Sequence, residues 1–157
     1  FNSISASPDG QWGLLDNFRV STPTGCAAAG TSTPQGSSPT GEILIGSAPP
    51  AISAPLTIRL RGGPVTSFAF LIGGTPAPVT IPVPFGPGCT LNAEVITIDG
   101  LFTVLTNGDG GGQFTIDVPN DLSLCGSSLG WQYLWLDAGN PGCPFVLTAG
   151  LRTTFGS

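Results

Sequence analysis

The sequence predicts an all-β protein: an antiparallel Greek-key β-sandwich with an ordered, extended N-terminal arm, stabilised by disulfides. Three observations lead there. From Pro55 onward the chain falls into short stretches of alternating character, each closed by Gly, Pro, Asn or Asp. Gly supplies 24 and Pro 16 of the 157 residues, while only 8 % are charged, a composition hostile to helices. Hydrophobic residues nevertheless make up 40 %, enough to close a core and too many for a disordered chain.

The elements follow in order. In PLTIRLRGG, Leu56, Ile58 and Leu60 are expected to face a core, with Thr57, Arg59 and Arg61 outward. PVTSFAFLIGG puts Phe68, Phe70 and Ile72 on one face and Ser67, Ala69 and Leu71 on the other. Both faces are nearly apolar, so this strand is expected to be central or covered by a partner. The prolines Pro78, Pro82 and Pro84 of APVTIPVPF suit an edge, and CTLNAEVITI runs from Leu91 toward Val95 and Thr97. Asp99-Gly100 reads as a tight hairpin turn into LFTVL. After the wide turn TNGDGGG, QFTIDV aligns Phe114, Ile116 and Val118. WQYLWLD aligns Trp131, Tyr133 and Trp135, and a last strand aligns Phe145, Leu147, Ala149, Leu151 and Phe155.

The division is residues 1–54 as an N-terminal arm with the first strands, packed on its own or a neighbouring domain, and residues 55–157 as the sandwich core. Together they are read as one structural domain. WGLLDNFRV and EILIG each have strand character, and the CAAAGTSTPQGSSPTG between them has a linker's composition. Phe1 and Ile4 are placed in an assembly arm, a short strand that adds to an exposed edge of another subunit.

Composition also restricts the chemistry. The chain has four arginines, no lysine and a net charge of -5, so it offers no basic patch to nucleic acid. It has no histidine, hence neither the usual general base nor the commonest metal ligand. The GSSLG of Gly126 to Gly130 matches a nucleophile elbow in letters but lacks the histidine to take the serine's proton. A carboxylate pair from Asp9, Asp16, Glu42, Glu94, Asp99, Asp109, Asp117, Asp121 and Asp137 is the remaining catalytic option, and most of these lie where Asp shapes turns. No enzyme, no cofactor and no metal are therefore expected. Asn107, Asp109, Asp137 and Asn140 carry oxygens of the kind calcium prefers, without a fixed ligand register.

Cys26, Cys89, Cys125 and Cys143 read as two disulfides, which places the protein in an oxidising compartment, extracellular or at the cell surface. Phe1 reads as the residue that follows signal-peptide removal, and no apolar run approaches the roughly 20 residues of a spanning helix, so no membrane insertion is expected. N-glycosylation sequons are absent, and TSTPQGSSPT is a candidate for O-linked sugar. If WQYLWLD and the last strand form a hairpin, Cys125 and Cys143 lie at opposite ends, roughly 20 Å or more apart at about 3.3 Å per residue. That leaves Cys26–Cys125 with Cys89–Cys143, or Cys26–Cys143 with Cys89–Cys125, the second being preferred.

The series G-C-T-L, P-N-D-x-S-L-x-G and Q-x-L-x-L-D-x-G, within LTIRLRGGPVTSFAFLIG, PGCTLNAEVI, NGDGGGQFTIDVPNDLSLCGSSLGWQYLWLDAGNPG and the terminal LRTTFGS, resembles an uncharacterised secreted β-domain abundant in planctomycete bacteria. The resemblance covers about residues 55–157. It implies a β fold and export rather than a function, since domains of this kind have no assigned activity.

A surface so poor in charge and lacking lysine gatekeepers on its edge strands is prone to associate. The expected function is a non-enzymatic extracellular structural subunit that self-assembles into a filament or surface layer, its partners being other copies of itself. The alternative is a monomeric carbohydrate- or surface-binding module using Trp131, Tyr133 and Trp135 as an aromatic strip for glycans.

Overall fold

The structure, a computed structural model, describes residues 25–36, 42–45, 48–86, 89–139 and 142–157. It is all-β, with β1 (Thr31–Gln35), β2 (Glu42–Ile45), β3 (Pro55–Arg61), β4 (Phe68–Gly74), β5 (Pro76–Gly86), β6 (Cys89–Val95), β7 (Gly100–Leu105), β8 (Gly112–Asp117), β9 (Ser128–Leu136), β10 (Phe145–Leu147) and β11 (Gly150–Thr154). A 3-10 turn at Leu122–Leu124 precedes β9. It starts where the Asp121 carboxylate accepts from the Ser123 amide and satisfies a free N–H of the turn.

The strands form three antiparallel sheets. The largest has the order β1-β11-β9-β4-β7, with β10 also on β9; the others are β2-β3-β8 and the hairpin β5-β6. The three-stranded sheet and the inner face of the large sheet share one core. Ile43, Leu56, Ile58 and Leu60 meet Ala69, Leu71, Val104, Trp131, Tyr133, Trp135 and Leu151. The alternation of PLTIRLR is realised as expected, with Leu56, Ile58 and Leu60 buried. At the centre the Tyr133 hydroxyl donates to the Ile58 carbonyl at 3.0 Å, joining the two sheets by a hydrogen bond. The Trp131 indole donates to Thr153 at 2.8 Å.

The β5-β6 hairpin lies on the opposite, outer face of the large sheet. Gln132 holds it there: its side chain accepts from the Glu94 amide at 3.0 Å and donates to the carbonyls of Asn92 and Thr148, each at 2.8 Å. Glycines let the hairpin come close, since a Cβ at Gly130 would press on the Pro76 backbone and one at Gly150 would strike the Glu94 side chain. Phe85 of the hairpin meets Phe145 with ring centroids 4.8 Å apart.

Three local expectations change. The Asp99-Gly100 hairpin turn does not form: β6 pairs with β5 and β7 with β4, so residues 96–99 are a crossover, held by Ile96 N to Thr75 O and Asp99 N to Gly73 O. The last strand is broken by a one-residue bulge, because Leu147 pairs with Leu134 but Leu151 with Trp131. Thr148 fills the break, its amide donating to Tyr133 O and its hydroxyl accepting from Tyr133 N. The slip reverses the faces, so Val146 joins the core where Phe145 and Leu147 were expected. Lastly, part of the linker-like stretch is strand β1, paired with β11 from Thr31 opposite Thr154 to Gln35 opposite Gly150.

The disulfides are Cys26–Cys125 and Cys89–Cys143, with Cα–Cα distances of 5.3 and 4.7 Å. This corrects the preferred pairing. Cys26 precedes β1 on the side of the sheet where Cys125 follows the 3-10 turn, whereas Cys89 starts β6, which lies over β9 and β10 beside Cys143.

Candidate assembly surface

Strand β4 has apolar residues on both faces, and the two faces meet different surroundings. Ala69 and Leu71 are fully buried against the three-stranded sheet. On the outer face the hairpin covers Ile72, and cover stops there. Phe68, Leu101, Leu105 and Leu136 are 57, 59, 70 and 58 % exposed. Phe68 is paired with Leu105, and Phe70, half-buried, with both Thr103 and Leu134. These side chains form one continuous patch on β7, β4 and β9. No charged residue occurs in any of those three strands.

The patch ends at an open sheet edge. β7 closes one side of the large sheet, and among the described residues no strand pairs with its far side. The Thr106 amide, just past β7, donates to the carbonyl of Ser67, the residue before β4. By the antiparallel alternation, the N–H and C=O groups of Leu101, Thr103 and Leu105 therefore point away from β4, toward solvent. Their side chains lie on the exposed face, so one strand offers both free ladder groups and uncovered apolar surface. Such an edge pairs readily with another chain unless Lys, Pro or a bulge protects it, and β7 has none of these. The opposite edge, β1, is polar and carries Pro34.

Trp131, Tyr133 and Trp135 are 4, 0 and 5 % exposed. The expected strip is core, and it offers no stacking face to a sugar. Cys26, Cys89, Cys125 and Cys143 are all disulfide-bonded. Phe1 and Ile4 lie outside the described residues, as do Asp9, Asp16, Asn140 and the WGLLDNFRV stretch.

The remaining polar candidates serve the fold. The Asn107 carbonyl accepts from the amides of Asp109 and Gly111, Asp137 accepts from the Gly139 amide, and Asp99 from the Thr97 hydroxyl. Ser128, the elbow serine in letters, stands on β9 hydrogen-bonded to Thr154 at 2.7 Å. Glu94 is buried beneath the hairpin and accepts from the Thr80 hydroxyl at 2.6 Å. Among the described residues, no three His, Cys, Asp or Glu side chains gather as metal ligands. An apolar pocket of about 230 Å³ opens between β3, β8 and the start of β9, lined by Leu56, Ile116, Leu129, Trp131 and Phe155, and Asp117 is the one carboxylate in its lining.

No family model, curated protein or solved structure matches the chain. The surface itself is thus the guide to function. Reading the sequence for core faces missed Leu101 and Leu105. The signal was present in LFTVL, which is apolar at Leu101, Phe102, Val104 and Leu105, and so on both faces, as β4 is.

Two disulfides indicate an oxidising, extracellular-type environment. No helix among the described residues is long and apolar enough to cross a membrane.

Proposed function

We propose that this protein is a secreted, non-enzymatic structural subunit that assembles with copies of itself into an extracellular filament or surface layer at a bacterial cell surface. The carrying observation is the bare apolar face beside the unprotected β7 edge. An exposed face of this kind on a soluble chain marks an interaction site. In this reading the body is a Greek-key sandwich, and the arm within residues 1–54, including Phe1 and Ile4, makes contact with a neighbour. A contact between an arm on one side and an edge on the other is heterologous. Repeated, it leads to an open polymer. The disulfides suit a subunit working outside the cell, where nothing reduces them.

The test is negative-stain electron microscopy of the native, disulfide-intact protein beside light scattering. Particles many times longer than one domain are expected, and removing residues 1–10 is expected to shorten them while the circular dichroism of the body is retained. Dispersed particles of single-domain size at every concentration would sink the reading.

A further inference from the structure

We propose that the β7 edge pairs with the β7 edge of a second copy, antiparallel and with Thr103 opposite Thr103, so that two large sheets join into one across a two-fold axis. The inference rests on the self-assembly reading for its choice of occupant, and it names the edge, direction and register of one contact in that assembly.

The ladder of β7 is complementary to itself. Pairing with β4 leaves the N–H and C=O groups of Leu101, Thr103 and Leu105 pointing outward. In an antiparallel pair centred on Thr103, that residue exchanges both backbone bonds with Thr103 of the second copy, and Leu101 exchanges its bonds with Leu105 of the second copy. The two-fold axis repeats the exchange at Leu105, so each outward ladder group of the strand finds a partner. A one-residue slip sets these groups against residues whose own groups are spent on β4. A two-residue slip sets Leu105 against Asp99 or Leu101 against Asn107 of the second copy. Only the centred register puts leucine against leucine and threonine against threonine.

Side chains and charge favour the same arrangement. A two-fold axis normal to the sheet keeps both bare faces on one side. Within each copy Phe68 faces Leu105 and Ile72 faces Leu101. An apolar row therefore crosses the junction from Phe68 and Leu105 to Leu101 and Ile72 of the second copy. Beneath the edge, Phe102 and Phe114 stack with ring centroids 4.5 Å apart, so the core is closed there and the contact belongs to the edge and the outer face. The chain has a net charge of -5, which sets copies against one another, whereas β4, β7 and β9 carry no charge. Antiparallel direction takes Asp99, just before β7, to the end where the second copy has Asn107; a parallel pairing in register would set Asp99 beside Asp99. The contact closes after two copies, so it supplies a paired unit, and the arm contact falls on another edge and joins such units.

The experiment uses full-length variants that each add one thiol, since the four cysteines are already paired. Facing residues of a hydrogen-bonded antiparallel pair have Cα atoms about 5.5 Å apart, within disulfide reach. Mildly oxidised, Thr103→Cys is expected to give a covalent dimer in roughly tenfold excess over Thr33→Cys, whose thiol lies exposed on the opposite edge, β1. Leu101→Cys alone is expected to stay uncross-linked, while its mixture with Leu105→Cys gives a covalent heterodimer. Cross-linking of Leu101→Cys alone as readily as Thr103→Cys would overturn the direction and register proposed. A Thr103→Cys thiol that neither cross-links nor reacts with a maleimide would show the edge covered within one copy and would overturn the inference, as would wild-type polymers whose Thr103→Cys variant polymerises without cross-linking, self-assembly then standing. Particles of two copies only, with the Thr103→Cys cross-link formed, would uphold the pairing and overturn the filament reading. A wild-type protein that stays single at every concentration would overturn both.

Discussion

The inner and outer faces of the large sheet are made from the same kinds of residue and differ in what lies on them. Along β4, Leu71 points inward and is fully buried, while Phe68 points outward and is more than half exposed. On the inner face the three-stranded sheet covers everything from Val104 to Leu151. On the outer face the hairpin covers Ile72 and Gln132, and the β7 side is bare. Apolar alternation therefore specifies that a face wants cover, and topology decides whether the same chain provides it. A face left uncovered in one copy is where a second chain gains most.

The sharpest way to break this comparison is at the inner face. Trp131→Ala is expected to cost about 3–5 kcal/mol through lost burial and the cavity that remains, read from denaturant unfolding. The paired change Cys89→Ser with Cys143→Ser releases the hairpin from β9 and β10. It should lower stability by about 2–4 kcal/mol, with hydrogen exchange rising first in β5 and β6. Faster exchange in β3 instead would show the hairpin and core to be one cooperative unit. Gln132→Ala strands the Glu94 amide and the carbonyls of Asn92 and Thr148 under the hairpin, an expected loss of about 1–3 kcal/mol.

Tyr133→Phe removes one buried hydrogen bond and should cost about 1 kcal/mol near neutral pH. Burial pushes the Tyr133 phenol well above its ordinary value, since the phenolate is penalised away from water. The folded state then holds its proton where the unfolded chain releases it. Stability is full below pH 10 and falls as pH rises beyond it, and the Phe variant should lack that fall. As the chain has one tyrosine, its phenolate absorbance reports the titration directly.

Smallest in stability is Leu101→Thr on the outer face, expected to stay within about 0.5 kcal/mol. Its effect belongs to assembly, where particle length should drop. A loss as large as that of Trp131→Ala would mean that the outer face is covered within one copy.

The sequence by itself determined the β class, the alternation of β3, the two-faced apolar strand β4 and the use of all four cysteines in disulfides. Each is a local property: a period of two in side-chain direction, the breaking of chains by Gly and Pro, and the absence of any other cysteine chemistry. Tertiary structure decided the rest. LFTVL has the same pattern whether it pairs with the preceding strand or with β4, because alternation carries no record of the partner, and the Asp99-Gly100 turn gave way to a crossover. The PFVLTAGLRTTF strand was legible, but its bulge was not, since Thr148 takes the extra position only with Tyr133 and Gln132 beside it. Trp131, Tyr133 and Trp135 read equally well as a binding strip or as core. Choosing between them needed the second sheet, whose Ile58 carbonyl accepts the tyrosine's proton. The bare β7 face is likewise a property of strand order: which edge ends a sheet depends on contacts between residues distant in the chain, and no local pattern encodes that.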